Sequence, residues 1–184
     1  MPESAARRSA ALIVAIIAVM TAVTTVFTIA VKIPIPGTTG YVLLTDVAVF
    51  FTSFAIGPFA AAIAGGLGSA FGDIFLGGAL WAPNSLLAHG LEGLLAGLIA
   101  SAARSSPGAS GGRRSVPLAW ILGSVAGVLA MVVLYLLGGL LIEGPVTVRG
   151  IPWNLAQAVF GAIVGSGFAV VVRRAYPPVQ NLRF

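Results

Sequence analysis

Residues 42–80 read VLLTDVAVFFTSFAIGPFAAAIAGGLGSAFGDIFLGGAL, and the way this stretch divides decides the fold. It is apolar almost throughout, yet nearly twice as long as the roughly 20 residues a helix needs to cross about 30 Å of hydrocarbon. Gly57–Pro58 divides it. Proline removes a helical hydrogen bond and disfavours helix in the residue before it. The stretch therefore predicts two helices, about 44–56 and 59–76.

Outward from this point the chain supplies four more apolar runs, at about 9–31, 84–103, 117–142 and 152–172. Pro117 and Pro152 suit first-turn positions, where no amide bond is lost. The segment from Lys32 to Thr45 carries Pro34, Pro36, Gly37 and Gly40 and cannot be regular helix. The sum is an all-α chain, a single membrane domain over 1–184 with six transmembrane helices and a flexible, Ser/Gly-rich loop at 104–115.

Composition demands lipid. Hydrophobic residues make up 58% of the 184, charged residues only 8%, and mean hydropathy is +1.04. Soluble domains carry about 25% charged residues. The 24 glycines, about twice ordinary usage, suit helices that approach closely in a compact bundle. The absence of cysteine excludes disulfides, iron–sulfur sites and thiol nucleophiles, and a single histidine, His89, excludes a multi-His metal site. No metal and no cofactor is expected in this chain.

Ten basic against five acidic residues would suggest nucleic acid in a soluble protein, but membrane proteins collect Lys and Arg in cytoplasmic loops, so no nucleic-acid partner is expected. With both termini in the cytoplasm, Arg7, Arg8, Arg104, Arg113, Arg114, Arg173, Arg174 and Arg183 lie inside, and only Lys32 and Arg149 outside. That arrangement requires an even number of helices, which agrees with the division at Gly57–Pro58. Arg7–Arg8–Ser9 resembles a twin-arginine signal, but the apolar run behind it is long enough to remain as a first transmembrane helix.

Helical spacing then sorts the faces. On the fourth helix Leu87, Leu91, Leu94, Leu95 and Leu98 form a lipid-type face, opposite His89, Glu92, Gly93, Ala96 and Ala100. On the third, Gly65, Ser69, Gly72 and Asp73 cluster, and on the sixth, Asn154, Gln157, Gly161 and Gly165. The polar groups gather in the outer half of the bundle: Asp46, Asp73, Asn84, His89, Glu92, Asn154 and Gln157, with Tyr41, Trp81 and Trp153 at the same level. Ionisable groups at membrane depth mark functional sites by default. The set predicts an outward pocket with aromatic walls and a few polar anchors. A stripe of Ala11, Ala15, Ala18 and Ala22 on the first helix suits either packing inside the bundle or docking of a partner helix.

The ordered set of motifs resembles the S components of energy-coupling factor (ECF) vitamin transporters. The resemblance is carried by Lys32-Ile33-Pro34-Ile35-Pro36 through Thr45-Asp46-Val47, by Gly57-Pro58 with Gly65-Gly66-Leu67-Gly68-Ser69 and Gly72-Asp73, by His89-Gly90-Leu91-Glu92-Gly93, and by Pro152-Trp153-Asn154-Leu155-Ala156-Gln157. It is closest to the branch with riboflavin and hydroxymethylpyrimidine carriers. The resemblance implies capture of a water-soluble vitamin or precursor at a prokaryotic cell membrane, together with a transmembrane coupling subunit and two cytoplasmic ATPases that consume the ATP. It also implies docking on the coupling subunit through an Ala-xxx-Ala motif that Ala11 and Ala15 match. This chain has no Gly-x-x-x-x-Gly-Lys-Ser/Thr phosphate loop. Physically, Glu92 and Asp73 suit acceptance of hydrogen bonds from an amine or aminopyrimidine, and Tyr41, Trp81 or Trp153 suit stacking on a flat ring.

Two other classes compete. A rhomboid-like serine protease would use Ser69 and His89, but Ala70 follows the serine where such proteases place glycine. A purely structural membrane protein would not need carboxylates buried at one depth.

Overall fold

The computed structural model describes the backbone of residues 2–105 and 115–181, and the side chains of residues 10–102 and 118–179. The loop expected at 104–115 lies, apart from its ends, outside the described residues.

Among the described residues six α-helices follow one another: α1 (Pro2–Ala30), α2 (Thr45–Ala55), α3 (Pro58–Phe75), α4 (Ala82–Ser105), α5 (Ser115–Ile142) and α6 (Ile151–Ala175). Five contain apolar stretches long enough to cross a membrane. The exception is α2, whose 11 residues rise only about 16 Å, half a bilayer. The break between α2 and α3 has a local cause. Gly57 takes φ = 150°, which side chains avoid, and Pro58 occupies the first turn of α3. Two short elements were not legible in the sequence: a two-residue antiparallel ladder, β1 (Ile33–Pro34) with β2 (Tyr41–Val42), and a 3₁₀ segment at Gly144–Gly150.

The short α2 is the centre of the bundle. Every residue in it but Phe51 is buried. It lies along α6, while α3 sits between α1 and α4, and α5 packs on α4. Two glycine faces allow these approaches. On α3, a Cβ at Gly68 would fall 2.5 Å from Thr24 Cβ, and one at Gly72 would fall 2.3 Å from Thr28 Cγ2. On α6, a Cβ at Gly161 would fall 2.2 Å from Asp46 Cβ, and one at Gly165 2.5 Å from the Val47 carbonyl oxygen. Close helix contact substitutes in lipid for the hydrophobic drive that water would supply.

The hydroxyl groups of α2 are satisfied locally. Thr52 donates to the Ala48 carbonyl at 2.7 Å, Ser53 to those of Val49 and Gly93 at 2.9 and 3.0 Å, and Thr45 shares a 2.9 Å hydrogen bond with Thr28. Large apolar side chains such as Val14, Phe75, Leu141 and Ile163 are exposed around the outside, as lipid requires. Below the end of α2, Phe54 and Trp120 stack at 4.6 Å, and Arg173 covers the indole at 5.5 Å.

Candidate functional site

Three connections meet at one end of the bundle: Lys32–Leu44 between α1 and α2, Leu76–Trp81 between α3 and α4, and Glu143–Gly150 between α5 and α6. Between them lies a pocket lined by aromatic Tyr41, Trp81 and Tyr135 and by polar Thr38, Thr39, Asp73, Ser85, Glu143 and Asn154. Its volume is about 50 Å³. Drug-sized ligands occupy roughly 300–1,000 Å³, so in this form the pocket is shut.

What shuts it is the first connection. β1 and β2 pair Ile33 with Val42 and Pro34 with Tyr41, and Gly37, at φ = 76°, turns the tip. Thr39 near that tip gives both its N–H and its hydroxyl to the Glu143 carboxylate, while Trp81 Nε1 donates to the Thr39 hydroxyl at 3.0 Å. Lys32 Nζ lies 4.1 Å above the Tyr41 ring at the root of the loop. The loop is a lid held at its tip by one carboxylate and one indole.

The pocket wall carries one acceptor with nothing to accept. Asp73 Oδ2 is buried and has no hydrogen-bond partner. A buried carboxylate oxygen without a donor is costly, and a ligand N–H would relieve it.

Beneath the pocket lies a second polar group, reached from the pocket through Ser85 and Tyr135 and otherwise buried. Ser85 Oγ meets Tyr135 Oη at 2.5 Å, Tyr135 Oη meets His89 Nε2 at 3.3 Å, and His89 Nδ1 meets Glu92 Oε2 at 2.8 Å. Gln157 enters from the other side. It accepts from the Leu43 N–H at 2.5 Å and donates to Asp46 Oδ2 at 2.6 Å, which fixes the direction of its amide. Asp46, His89 and Glu92 are at most 1% exposed, and one donor atom from each lies within 4.8 Å of the others.

The ten residues singled out in the sequence thus separate into three places. Tyr41, Asp73, Trp81 and Asn154 line the pocket. Asp46, His89, Glu92 and Gln157 form the buried group behind it. Asn84 and Trp153 join neither: Asn84 fits against the bare backbone of Gly138 on α5, and Trp153 is 46% exposed on the outer surface. Tyr135, Ser85, Thr39 and Glu143 were missed. A lone tyrosine within the apolar run of α5 was the available signal, because a buried phenol needs a partner.

Ser69 does not meet His89. Its hydroxyl donates to the carbonyls of Gly66 and Ser85 at 3.0 and 3.1 Å, and His89 is held by Glu92 and Tyr135, so no protease dyad forms. Ala11, Ala15, Ala18 and Ala22 are all exposed on α1, whose buried face is instead Met20, Thr24, Thr25 and Thr28. Among the described residues, the alanine stripe is left uncovered.

Residues 9–174 match the family described as "ECF-type riboflavin transporter, S component". The chain belongs to that family. Its members are multi-pass membrane proteins and substrate-binding subunits of vitamin transporters, not enzymes. The chain is also 31% identical, over 84% of its own length and 97% of the other's, to a protein of Pyrococcus woesei described as "Uncharacterized protein in gap 3'region".

Proposed function

We propose that this chain captures a water-soluble vitamin or vitamin precursor, a flat nitrogen heterocycle, in the pocket beneath the Lys32–Leu44 lid. The observation that carries this reading is the unpartnered Asp73 Oδ2, buried in a wall shared with Trp81 and Tyr135. A ring N–H or amine donates to the carboxylate, the aromatic side chains cover the ring faces, and Asn154 reads a heteroaromatic edge. The lid lifts to admit the ring and re-forms the Thr39–Glu143 and Thr39–Trp81 bonds over it.

The distribution of basic residues supports a pocket that faces outward, with both termini in the cytoplasm of a prokaryotic cell. Uptake then needs an ECF module: a transmembrane coupling subunit, which docks along Ala11, Ala15, Ala18 and Ala22, and two cytoplasmic ATPases. The exposure of all four alanines supports that surface over internal packing. A titration of purified protein with riboflavin and with an aminopyrimidine tests the reading. Binding of one of them, weakened about ten- to a hundredfold by Asp73→Asn, is expected from the loss of a charge-assisted hydrogen bond of about 1.5–3 kcal/mol. Unchanged affinity in Asp73→Asn removes Asp73 from the site.

A further inference from the structure

We propose that Asp46, His89 and Glu92 bind one divalent transition-metal ion, buried behind the pocket and linking α2 to α4. This does not depend on which molecule the pocket holds. The three side chains are 0%, 1% and 0% exposed, and each offers a donor atom within 4.8 Å of the other two. Two oxygens, Asp46 Oδ1 and Glu92 Oε1, are buried with no donor facing them, and the two carboxyl groups lie within hydrogen-bond reach of each other. Two carboxylates enclosed at membrane depth carry a large solvation penalty unless a cation or a shared proton offsets them, and the adjacent imidazole donor favours the cation. A divalent ion beside a neutral imidazole makes the group electrically neutral.

The donor set selects the class of ion. Carboxylates alone suit Mg²⁺ or Ca²⁺, while an added imidazole shifts the preference to Mn²⁺, Zn²⁺ and their neighbours. The 2.8 Å between His89 Nδ1 and Glu92 Oε2 matches two adjacent ligands on an ion with bonds of about 2.0–2.2 Å. Asp46 offers the third donor atom, within 4.8 Å of both. Supporting contacts are in place: Tyr135 Oη faces the other ring nitrogen of His89 at 3.3 Å, and Gln157 holds Asp46 Oδ2 at 2.6 Å. Ligating histidines and carboxylates are commonly oriented by such partners. Tyr135 also lines the pocket, so a single side chain separates the ion from the ligand space. This departs from the expectation of no metal drawn from the sequence, which weighed multi-His and Cys sites and not a single histidine between two carboxylates.

Tag-free protein, stripped with chelator and given Mn²⁺ or Zn²⁺ alone, tests the site. After desalting it should retain one ion per chain, and the ion should raise the melting temperature. Pulsed electron paramagnetic resonance of the Mn²⁺ form should show one imidazole nitrogen, and His89 is the only histidine in the sequence. The Asp46→Asn/Glu92→Gln double variant should bind at least a hundredfold more weakly and lose the nitrogen signal. Absence of a retained ion, retention without imidazole coupling, or unchanged affinity in the double variant would each overturn the proposal. If the double variant does not fold, the nitrogen signal of the unmodified chain still decides. A shared proton in place of the ion is identified when neither metal raises the melting temperature and Asp46→Asn alone matches the parent in stability.

Discussion

The Cα of Gly161 lies so close to Asp46 that a methyl group added there would fall 2.2 Å from Asp46 Cβ. This contact sets the depth and rotation of α2, and therefore where the Asp46 carboxylate points. Gly161→Ala forces the two helices apart, and overpacking of this kind costs about 1–3 kcal/mol. Thermal unfolding in detergent should show a lower midpoint for Gly161→Ala, while Gly167→Ala, where no atom lies within 4 Å of an added Cβ, should unfold close to the parent.

Glu143 holds the lid through both the backbone N–H and the hydroxyl of Thr39. Glu143→Ala releases the tip, leaving only the Trp81–Thr39 bond at 3.0 Å. A bound ligand should then leave about ten times faster or more, for the loss of hydrogen bonds to a charged group. Stopped-flow displacement reads the dissociation rate. An unchanged rate would show that the lid is held elsewhere.

Glu92 and Asp73 should separate stability from binding. Glu92→Leu strands the buried Nδ1 of His89, so the ligand-free protein should melt at a lower temperature. Asp73 Oδ2 has no partner to lose, and the amide oxygen of Asp73→Asn can still accept from Ser85, so this variant should leave the ligand-free melting temperature near the parent value while its rise on adding ligand shrinks. The reverse pattern would exchange the two roles.

Bulk on the alanine stripe should disable transport without touching capture. Ala11→Leu and Ala15→Leu add side chains to a face that is exposed among the described residues. Ligand affinity of the isolated protein should persist, and uptake by cells carrying the full ECF complex should fall to background. Loss of affinity would place the stripe within the capture fold.

The chain has no cysteine, so single introduced thiols report sidedness cleanly. Pro145→Cys, in the exposed 3₁₀ connection at the lid end, should react with an impermeant maleimide added outside cells. Tyr176→Cys, exposed just beyond α6, should be protected until the membrane is opened. Labelling in the opposite order would invert the topology.

The division of the chain into helices was legible because its signals are local. Gly57–Pro58 interrupts an apolar run whatever surrounds it, and the leucine face of α4 opposite His89 and Glu92 follows from helical period alone; Leu87, Leu91 and Leu98 are exposed while His89 and Glu92 are buried. The composition of the site was less legible because it depends on how helices rotate against one another. Asn84 and Asn154 look equivalent in sequence, yet the bare backbone of Gly138 draws Asn84 towards α5, whereas Asn154 reaches the pocket. Asp46 meets Glu92 and Gln157 only because Gly161 and Gly165 let α2 settle onto α6, a register that no single helix encodes. Glu143 stands just past the last apolar turn of α5, where a carboxylate ordinarily meets water, and only the fold of the Lys32–Leu44 loop brings Thr39 to it.

The most direct test of capture is to identify what the protein carries. Tag-free chain from cells supplied with a mixture of water-soluble vitamins is heat-denatured, and the released small molecules are identified and counted by mass spectrometry. One flat nitrogen heterocycle, at close to one equivalent per chain, is predicted, and a Trp81→Ala/Asp73→Ala variant purified in the same way should lack it. No heterocycle above the level found with that variant would contradict the account.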